Sequence, residues 1–411
     1  MLDPEFIRTS SEKVRDGIKK KGFDVILVDS FLALDQSWRK SLQELEETRA
    51  GKNKMGKEER DEAVKLKERE KELLALMEEL EAKRLDALMQ IPSIPFEDVP
   101  FGKGEADNVV LREVGKKPNF NFEPKDHVEL GTSLDILDFE SGAKVAGSGF
   151  YYLKGDGALL ELGLIRYALD FLSKRGFTPW ITPDLVRGRF YLGTGYMPKG
   201  NEAQTYVVDG EDLGLIATAE VTLAGVHSDE VLNESDLPRL YSGYSHCFRK
   251  EAGAYGKYSK GLYRVHQFTK AEMYVYCRPE DSSAMHSKLL QLEEELWESM
   301  GIPFRVLEMC TGDLGAMASK KYDLEAWMPG RGDWGEVTST SNTTDYQSRR
   351  LGIKFKRTNG KTEFAHTLNG TAIATSRAII AILENYQTKD GTVKIPKVLR
   401  DYVGKKEIKK S

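Results

Sequence analysis

Cys247-Phe248-Arg249-Lys250-Glu251-Ala252-Gly253 is followed closely by Gly261-Leu262-Tyr263-Arg264-Val265-His266-Gln267-Phe268. The pattern predicts a strand, a loop and a second strand that bring an arginine, a glutamate and an aromatic ring together. The guanidinium of Arg249 can hold a phosphate through its planar set of donors. The Glu251 carboxylate can accept from an adenine amino group, and Phe268 offers the base an apolar face. The segment therefore suits ATP, although Arg-Lys-Glu is also ordinary solvated-surface sequence.

Length and composition describe a two-domain globular protein. A chain of 411 residues is longer than one hydrophobic core usually serves, which predicts two domains. Charged residues make up 30% of the chain, which indicates that one part of it is strongly charged. No apolar run is long enough for a bilayer, and residues 1–5 predict a helix with Asp3 as cap rather than a signal peptide. Three cysteines without metal-ligand spacing indicate reduced thiols in a cytoplasmic protein. The net charge of −5 argues against a protein that coats nucleic acid over its whole surface, but it permits a local basic patch.

A sparse apolar repeat marks residues 31–91 and predicts a coiled coil. In the second half, apolar residues recur at alternating steps of three and four: Ala63, Leu66, Leu73, Met77, Leu80, Ala87 and Ile91. The exceptions there are Glu70 and Arg84, and in the first half Ser41 and Thr48 interrupt the register. That register is otherwise kept by Phe31, Leu34, Trp38 and Leu45. Residues 50–57 contain two glycines and predict the turn of an antiparallel hairpin, whose second helix would be about 50 Å long at about 1.5 Å per residue.

The hairpin has two interpretations. It can be a dimerisation or spacer coiled coil, or an arm that binds a large anionic partner. Cations near its tip favour the arm, because phosphate contacts need lysine and arginine: Lys52, Lys54, Lys57 and Arg60. Glutamates interleave with these cations, so charge alone leaves both interpretations open.

Ile91-Pro92-Ser93-Ile94-Pro95 ends the second helix, because proline cannot continue it. We therefore expect an N-terminal domain of residues 1–100 and a second domain of residues 101–411. In the second domain, residues 157–175 and 281–300 predict amphipathic helices that end at glycines. Short apolar runs predict closely spaced strands, including 206–208, 213–216, 273–276 and 353–355. Closely spaced strands with few helices between them favour an α+β fold on a mainly antiparallel sheet.

No common phosphate loop is present, because the chain has neither a Walker A sequence nor a Rossmann glycine fingerprint. Two other groups are candidates. Thr218-Ala219-Glu220 follows an apolar strand, where it is either part of a site or simply a helix cap. Glu336 and Ser339 lie three residues apart and carry hard oxygen ligands, which suit Mg²⁺ held together with phosphates. The alternative for that pair is a surface carboxylate beside a hydroxyl.

Asn369-Gly370-Thr371 precedes an alanine- and isoleucine-rich segment, residues 372–382, that predicts a buried helix. Asn-Gly usually marks a turn. Within the buried segment, the charge of Arg377 needs an anion, since an unpaired buried charge costs several kcal/mol. Glu384, two turns further on, is the structural candidate and a triphosphate is the functional one; the sequence leaves the two open.

Taken in order, these segments resemble the three motifs of class II aminoacyl-tRNA synthetases, and within that class the seryl-tRNA synthetase family. Thr178-Pro179-Trp180-Ile181-Thr182-Pro183 resembles motif 1, residues 248–253 resemble motif 2, and residues 369–377 resemble motif 3. The likeness extends from Met1-Leu2-Asp3 through the hairpin to Pro396-Lys397-Val398-Leu399-Arg400. It implies an N-terminal tRNA-binding domain, a class II catalytic domain and a homodimer through the region of Pro183.

The resemblance also implies a role for each candidate residue. ATP and Mg²⁺ would be the cofactor set, with catalytic roles for Arg249 and Arg377. The implied ATP site is Arg249, Lys250, Glu251, Val265, Phe268, Glu336, Val337, Thr338, Ser339 and Arg377, in which Glu336 and Ser339 hold the metal. The implied serine site is Thr218, Ala219, Glu220, Arg249, Glu272, Asn369 and Thr371, with both glutamates near the ammonium and Thr371 near the hydroxyl. The implied tRNA contacts are Lys52, Lys54, Lys57 and Arg60.

The expected activity is therefore ligation of serine to tRNA(Ser), with tRNA(Sec) as a further candidate. A relative that loads a carrier protein would lack the arm. A catalytically inactive RNA-binding relative would be expected to lose Arg249, Glu251, Glu336 or Arg377, and all four are present. Two departures from the family remain: a hairpin that looks shorter than usual, and Lys260 where the family usually has arginine. Lysine keeps the charge but loses the bidentate geometry.

Overall fold

The computed structural model describes residues 1–54, 60–196, 205–251 and 261–410. The chain divides into two compact units, Met1–Pro95 and Phe96–Ser411. In the described part of the chain, no helix combines the length and the apolar character needed to cross a membrane.

The first unit is helical. Its helices are α1 (Pro4–Thr9), α2 (Ser11–Lys20), α3 (Ile26–Lys54) and α4 (Arg60–Gln90). Asp3 caps α1 as predicted, with Oδ1 accepting from the backbone N–H of Glu5 at 2.7 Å. A small core holds α1, α2 and the bases of α3 and α4 together: Ile7, Val14, Ile18, Val28, Phe31, Leu88 and Ile91.

Helices α3 and α4 pack antiparallel along the predicted seam. Its polar exceptions are accommodated within that seam: Ser41 and Thr48 are each 8% exposed, Glu70 pairs with Arg49, and Arg84 pairs with Asp35. The predicted turn is wrong in one respect, because α3 continues through its first glycine, residue 51, which lies beside α4. Packing against α4 outweighs the helix cost of one glycine, which is about 1 kcal/mol. The other predicted turn glycine, residue 56, lies outside the described residues.

The second unit mixes helices and strands. Its α-helices are α5 (His127–Ser133), α6 (Phe139–Ala146), α7 (Asp156–Ser173), α8 (Gly188–Thr194), α9 (Ala219–Gly225), α10 (Ser282–Ser299), α11 (Tyr346–Leu351), α12 (Thr375–Asn385) and α13 (Arg400–Val403). The predicted helices 157–175 and 281–300 correspond to α7 and α10.

The strands, in chain order, are β1 (Val109–Val114), β2 (Leu137–Asp138), β3 (Tyr152–Leu153), β4 (Thr178–Ile181), β5 (Leu185–Arg187), β6 (Tyr206–Val207), β7 (Leu213–Leu215), β8 (Val231–Asn233), β9 (Arg239–Phe248), β10 (Gln267–Cys277), β11 (Phe304–Glu308), β12 (Lys320–Met328), β13 (Asp333–Thr344), β14 (Lys354–Lys356), β15 (Thr362–Phe364), β16 (His366–Ala374), β17 (Val393–Lys394) and β18 (Glu407–Ile408). The main sheet has the order β1-β11-β12-β13-β16-β10-β9-β4. Its neighbours pair antiparallel except β4 with β9. The predicted α+β fold on a mainly antiparallel sheet is confirmed.

Strand β16 corrects the prediction of a turn at Asn369-Gly370. Both residues lie inside the strand, paired with β10 on one side and β13 on the other. Gly370 is needed there for close packing: a Cβ would lie 2.9 Å from Oε1 of Glu293 and 3.1 Å from Cε of Met273. The helix consequently starts later than predicted, at Thr375. Helices α7, α10 and α12 cover the sheet with a common apolar core that includes most of α12.

Candidate active site

A cleft lies over β13, β16, β10 and β9, four consecutive strands of the sheet. Its walls bring together residues that are far apart in sequence: Arg249, Glu251, Tyr263, Val265, Phe268, Lys270, Glu336, Val337, Thr338, Ser339, Thr371, Ala374, Ser376 and Arg377. Most of the predicted nucleotide-binding residues are in this set.

Arg249 is fixed at the end of β9 by its backbone. Its N–H donates to the carbonyl of His266 at 3.0 Å, and Nδ1 of His266 lies 2.9 Å from the Arg249 carbonyl. The guanidinium carbon lies 5.2 Å from the ring centre of Phe268, a cation–π distance. The ring and the guanidinium therefore share one wall of the cleft, while His266 has the structural role expected of a lone histidine.

Glu251 has a backbone φ of +47°, in the left-handed region that a glutamate rarely adopts. Its carboxylate pairs with Nη1 of Arg264 at 3.2 Å across the two ends of the loop. The ion pair holds the glutamate at the cleft despite the unfavourable backbone, which is typical of functional positions.

Arg377 lies in the first turn of α12 and uses Glu336 as its anion. Nη1 donates to the Glu336 carbonyl at 2.7 Å and lies 3.2 Å from Oε2, while the Tyr263 ring centre lies 4.5 Å from the guanidinium carbon. Burial opposes the charge, but the carboxylate outweighs it and raises the pKa of Arg377. The structural candidate Glu384 is wrong as a partner, because its oxygens accept from His127 and from the N–H of Gly330. Six residues of helix separate it from Arg377.

Glu336 and Ser339 sit in strand β13, and Asp323 lies opposite Ser339 on β12. Burial acts against ionisation of Glu336, yet Arg377 and Lys321 lower the pKa of its carboxyl. Burial raises the pKa of Asp323 to about 6. Lys321 lies 3.4 Å from the Asp323 carboxylate. Hard oxygens therefore fit Mg²⁺ when phosphates complete the set, although no cluster of three or more His, Cys, Asp or Glu occurs among the described residues.

Glu220 is a buried carboxylate of α9, and a hydrogen bond from Asn369 connects it to the cleft strand β16. Its carboxylate accepts three bonds from neutral groups: Gln347 at 2.8 Å, Asn369 at 3.0 Å and the Tyr196 hydroxyl at 3.0 Å. Burial, with the like charge of Glu272, raises the pKa of Glu220 to about 7. A carboxylate surrounded by neutral donors is able to take a cation.

Glu272 has a different environment. Nζ of Lys270 lies 2.5 Å from its carboxylate, and the hydroxyl of Thr371 donates to it at 3.1 Å. Lys270 is also 3.5 Å from the Thr371 hydroxyl. Glu272 therefore has its own buried counter-charge, and this cluster suits a neutral hydroxyl better than an ammonium group.

Four of the predicted site residues have other contacts in the structure. Lys250 lies off the cleft wall, with Nζ 5.7 Å from the Tyr206 ring centre. Ala219 points at Gly243 of β9, Thr218 caps α9 by accepting from the Glu220 N–H at 3.2 Å, and the Thr338 hydroxyl donates to Glu293 at 2.8 Å. The helix-cap interpretation of Thr218 is thus confirmed, while Glu220 in the helix that it caps accepts from Asn369 of β16.

Comparison with known proteins agrees with this architecture. Residues 1–95 match the seryl-tRNA synthetase N-terminal domain, and residues 206–386 match the tRNA synthetase class II core domain (G, H, P, S and T). A serine–tRNA ligase of Rubrobacter xylanophilus is 51% identical, with 99% of each chain covered. The chain belongs to the seryl-tRNA synthetase family.

Two solved structures of this family superpose closely. The seryl-tRNA synthetase of Pyrococcus horikoshii, complexed with ATP, is 45% identical with a TM-score of 0.95 and complete coverage of both chains. The cytoplasmic serine–tRNA ligase of Naegleria fowleri, in complex with AMP, is 36% identical with a TM-score of 0.89, covering 99% of this chain and 97% of that one. The predicted family, fold class and serine–tRNA ligase activity are confirmed, and the match over the N-terminal domain disfavours a carrier-protein ligase.

The arm residues expected to bind tRNA in this family are only partly described. Lys52 pairs with Glu70 at 2.9 Å, and Lys54, the last residue of α3, is exposed. Lys57 lies outside the described residues, as does the side chain of Arg60; Lys260 of the motif 2 loop is also outside them. Their predicted roles remain predictions.

Three residues of the site escaped sequence reasoning. Lys270 and Asp323 are acid or base side chains inside strands, and alternation with Glu272 in β10 was the available signal for Lys270. Gln347 follows β13 on α11 and gave no local signal, because its contacts come from α9 and β16.

Proposed function

We propose that this chain activates L-serine with ATP to form seryl-adenylate and pyrophosphate, and then transfers the seryl group to the 3′ end of tRNA(Ser). One observation carries the proposal. Arg249, at the end of β9, and Arg377, in the first turn of α12, line one cleft together with Thr371 of β16, and Asn369 of the same strand donates to the buried carboxylate of Glu220. Two arginines suit a triphosphate, and the carboxylate suits the ammonium of an amino acid.

ATP would lie on Phe268, with Arg249 at the α-phosphate and Arg377 at the γ-phosphate. Glu251 would accept from the adenine amino group. These roles agree with the positions of the side chains, since Arg249 flanks the Phe268 ring and Arg377 lies across the cleft. Occupation by a phosphate would compete with Glu336 for the Arg377 guanidinium.

The structure suggests a division of labour between the two glutamates of the serine pocket. Glu220 would bind the substrate ammonium, because its hydrogen-bond donors among the described residues are the neutral groups of Tyr196, Gln347 and Asn369. Glu272 and Thr371 would bind the substrate hydroxyl, because Lys270 already neutralises the Glu272 carboxylate. A pocket that hydrogen-bonds the hydroxyl rejects alanine strongly, since its buried polar groups would otherwise be unpaired.

In the first step the serine carboxylate attacks the α-phosphorus in line, and pyrophosphate leaves. The attacking group is already an anion, so the enzyme need not remove a proton. Positioning by Glu220 and charge neutralisation by Arg249 and Arg377 supply the catalysis. Mg²⁺, held by Glu336 and Ser339, would neutralise further phosphate charge. A hydroxyl at the 3′ end of tRNA then attacks the carbonyl carbon of the adenylate; the ester bond to tRNA forms, the bond to the phosphate breaks, and AMP and the hydroxyl proton leave.

The arm and the motif 1 region complete the proposal. Residues 1–100 would bind tRNA through the hairpin, residues 101–411 would catalyse, and the enzyme would act in the cytoplasm. A homodimer would bury apolar side chains around Pro183 that are now exposed: Ile181 at 82% on the edge strand β4 and Leu162 at 64% on α7. Exposed apolar groups beside an open sheet edge favour such an interface.

ATP–pyrophosphate exchange tests the proposal. Serine should support exchange, whereas alanine should be rejected by about 10⁴-fold for lack of a hydroxyl; threonine and glycine complete the series. Charging of tRNA with and without its long variable arm should then follow in the same preparation. Absence of serine-dependent exchange would overturn the proposed activity.

A further inference from the structure

His127 links the C-terminal end of α12, through Glu384, to the turn at Leu262 that precedes β10. The residue begins α5 and is 5% exposed. Its backbone N–H donates to Oε1 of Glu384 at 3.0 Å, and Nδ1 lies 2.9 Å from the same oxygen. Nε2 accepts from the backbone N–H of Leu262 at 3.2 Å. Because Nε2 accepts, the ring proton is on Nδ1 and is donated to Glu384.

The close approach of the His127 ring also restricts which residue can precede Leu262. Gly261 has a φ of +68°, and a Cβ at that position would lie 2.1 Å from Nε2 of His127. Only glycine accommodates both the left-handed backbone and the close approach of the imidazole ring. The chain therefore enters β10 through a point that is fixed by His127.

The next residue, Tyr263, contacts the arginine of motif 3. Its ring centre lies 4.5 Å from the guanidinium carbon of Arg377. Arg377 occupies the first turn of α12, and Glu384 occupies the last turn of the same helix. A closed path thus runs from Glu384 to His127, to Leu262, to Tyr263 and back to Arg377.

We infer that His127 and Glu384 are positioning residues that fix Tyr263 against Arg377 and so hold the arginine in the geometry that ATP requires. The inference rests on the proposed role of Arg377. The inference explains why Glu384 is fully buried, although it neither pairs with Arg377 nor lines the cleft. Glu384 orients the imidazole ring of His127, and Nε2 of that ring accepts from the Leu262 N–H. Both His127 and Glu384 are therefore needed to fix Tyr263.

Paired substitutions test this role. In His127→Asn the shorter amide can still reach Glu384 but not Leu262, whereas in His127→Gln the longer side chain can offer an acceptor to Leu262. We expect His127→Asn to raise the KM for ATP in serine-dependent exchange by about tenfold or more, because small misplacements of a binding group are costly. The KM for serine should stay within about twofold, and His127→Gln should recover most of the loss.

His227→Asn is the matched control. His227 is 8% exposed in the same unit, with Nδ1 2.8 Å from Glu230 and Nε2 2.7 Å from the Tyr241 hydroxyl, and it does not line the cleft. It should lower the melting temperature without a selective change in ATP parameters. Equal KM values for ATP in His127→Asn and wild type, or equal losses for ATP and serine, would overturn the inference. Failure of wild-type exchange would instead overturn the proposed function.

Discussion

The hairpin and the cleft both hold charged side chains within packed structure, but they compensate those charges differently. In the hairpin, seam residue Arg84 stacks on Trp38 and pairs with Asp35, and seam residue Glu70 pairs with Arg49 and Lys52. Near the cleft, Glu220 accepts from three neutral donors in the part of the chain that the structure describes. The two seam charges are thus balanced within the hairpin, whereas Glu220 keeps neutral hydrogen-bond partners and, in the proposed function, receives the ammonium of serine. Incomplete compensation thus distinguishes a binding site from a structural network.

The largest expected difference between the regions comes from removing an arginine in each. Arg377→Ala should reduce ATP–pyrophosphate exchange by about 10³-fold or more, because an arginine that neutralises a reacting phosphate is worth that much. Circular dichroism should show an intact fold. Arg84→Ala, the control in the hairpin, should lower the melting temperature and leave exchange unchanged. Comparable exchange in the two variants would show that Arg377 is structural.

Deletion of the hairpin should have the converse effect, because it should impair tRNA charging and leave ATP–pyrophosphate exchange intact. Replacing residues 40–80 by a short glycine-serine linker removes the outer seam but keeps Asp35 and Arg84 at the base. Exchange should remain within about twofold of wild type, while charging of tRNA(Ser) should fall by about 10²-fold or more because arm–phosphate contacts are lost. Equal charging of tRNA(Ser) by the deletion variant and the wild type, measured with radiolabelled serine, would show that the arm does not contribute to tRNA recognition.

The sequence predicts much of this comparison but not all of it. The seam of the hairpin, the cap at Asp3 and the buried charge of Arg377 follow from local periodicity and from the cost of burying a charge. Lys270, Asp323 and Gln347 do not, because their importance depends on which strands and helices become neighbours. Glu384 illustrates the limit: helical spacing made it a candidate for Arg377, and only the packed structure shows that His127 takes it.

Protonation of Glu220 gives a smaller, graded effect. With a pKa of about 7, the carboxylate needed for the substrate ammonium is lost as the pH falls. The KM for serine should therefore be about tenfold higher at pH 6 than at pH 8, while the KM for ATP changes little. Glu220→Gln should remove this pH step along with most serine affinity. A step of equal size for both substrates would assign the titration to another group.

The same group should affect stability with the opposite sign. Its folded pKa is raised above the unfolded value, so the folded state binds more protons and stability falls as the pH rises from about 4.5 through 7. Glu220→Gln should therefore stabilise the protein at pH 8, by at most about 3 kcal/mol, in urea unfolding. No gain at pH 8 would show that the hydrogen bonds from Gln347, Asn369 and Tyr196 already offset the cost of the charge.

The smallest effect is expected for Glu293, which lies behind the cleft and completes the comparison. Burial, together with the nearby charge of Glu272, raises its pKa well above the usual range and so favours the neutral acid. It accepts from Thr338 and packs beneath Gly370. Glu293→Gln replaces one neutral group by another of the same shape, and exchange should stay within about twofold between pH 6 and 8.

Glu272→Gln, by contrast, leaves Lys270 without its anion and should raise the KM for serine at least about tenfold. If Glu293→Gln were as damaging as Glu272→Gln, the cleft would depend on an ionised carboxylate behind the sheet, and Glu293 would belong with the substrate-binding acids rather than with the structural ones.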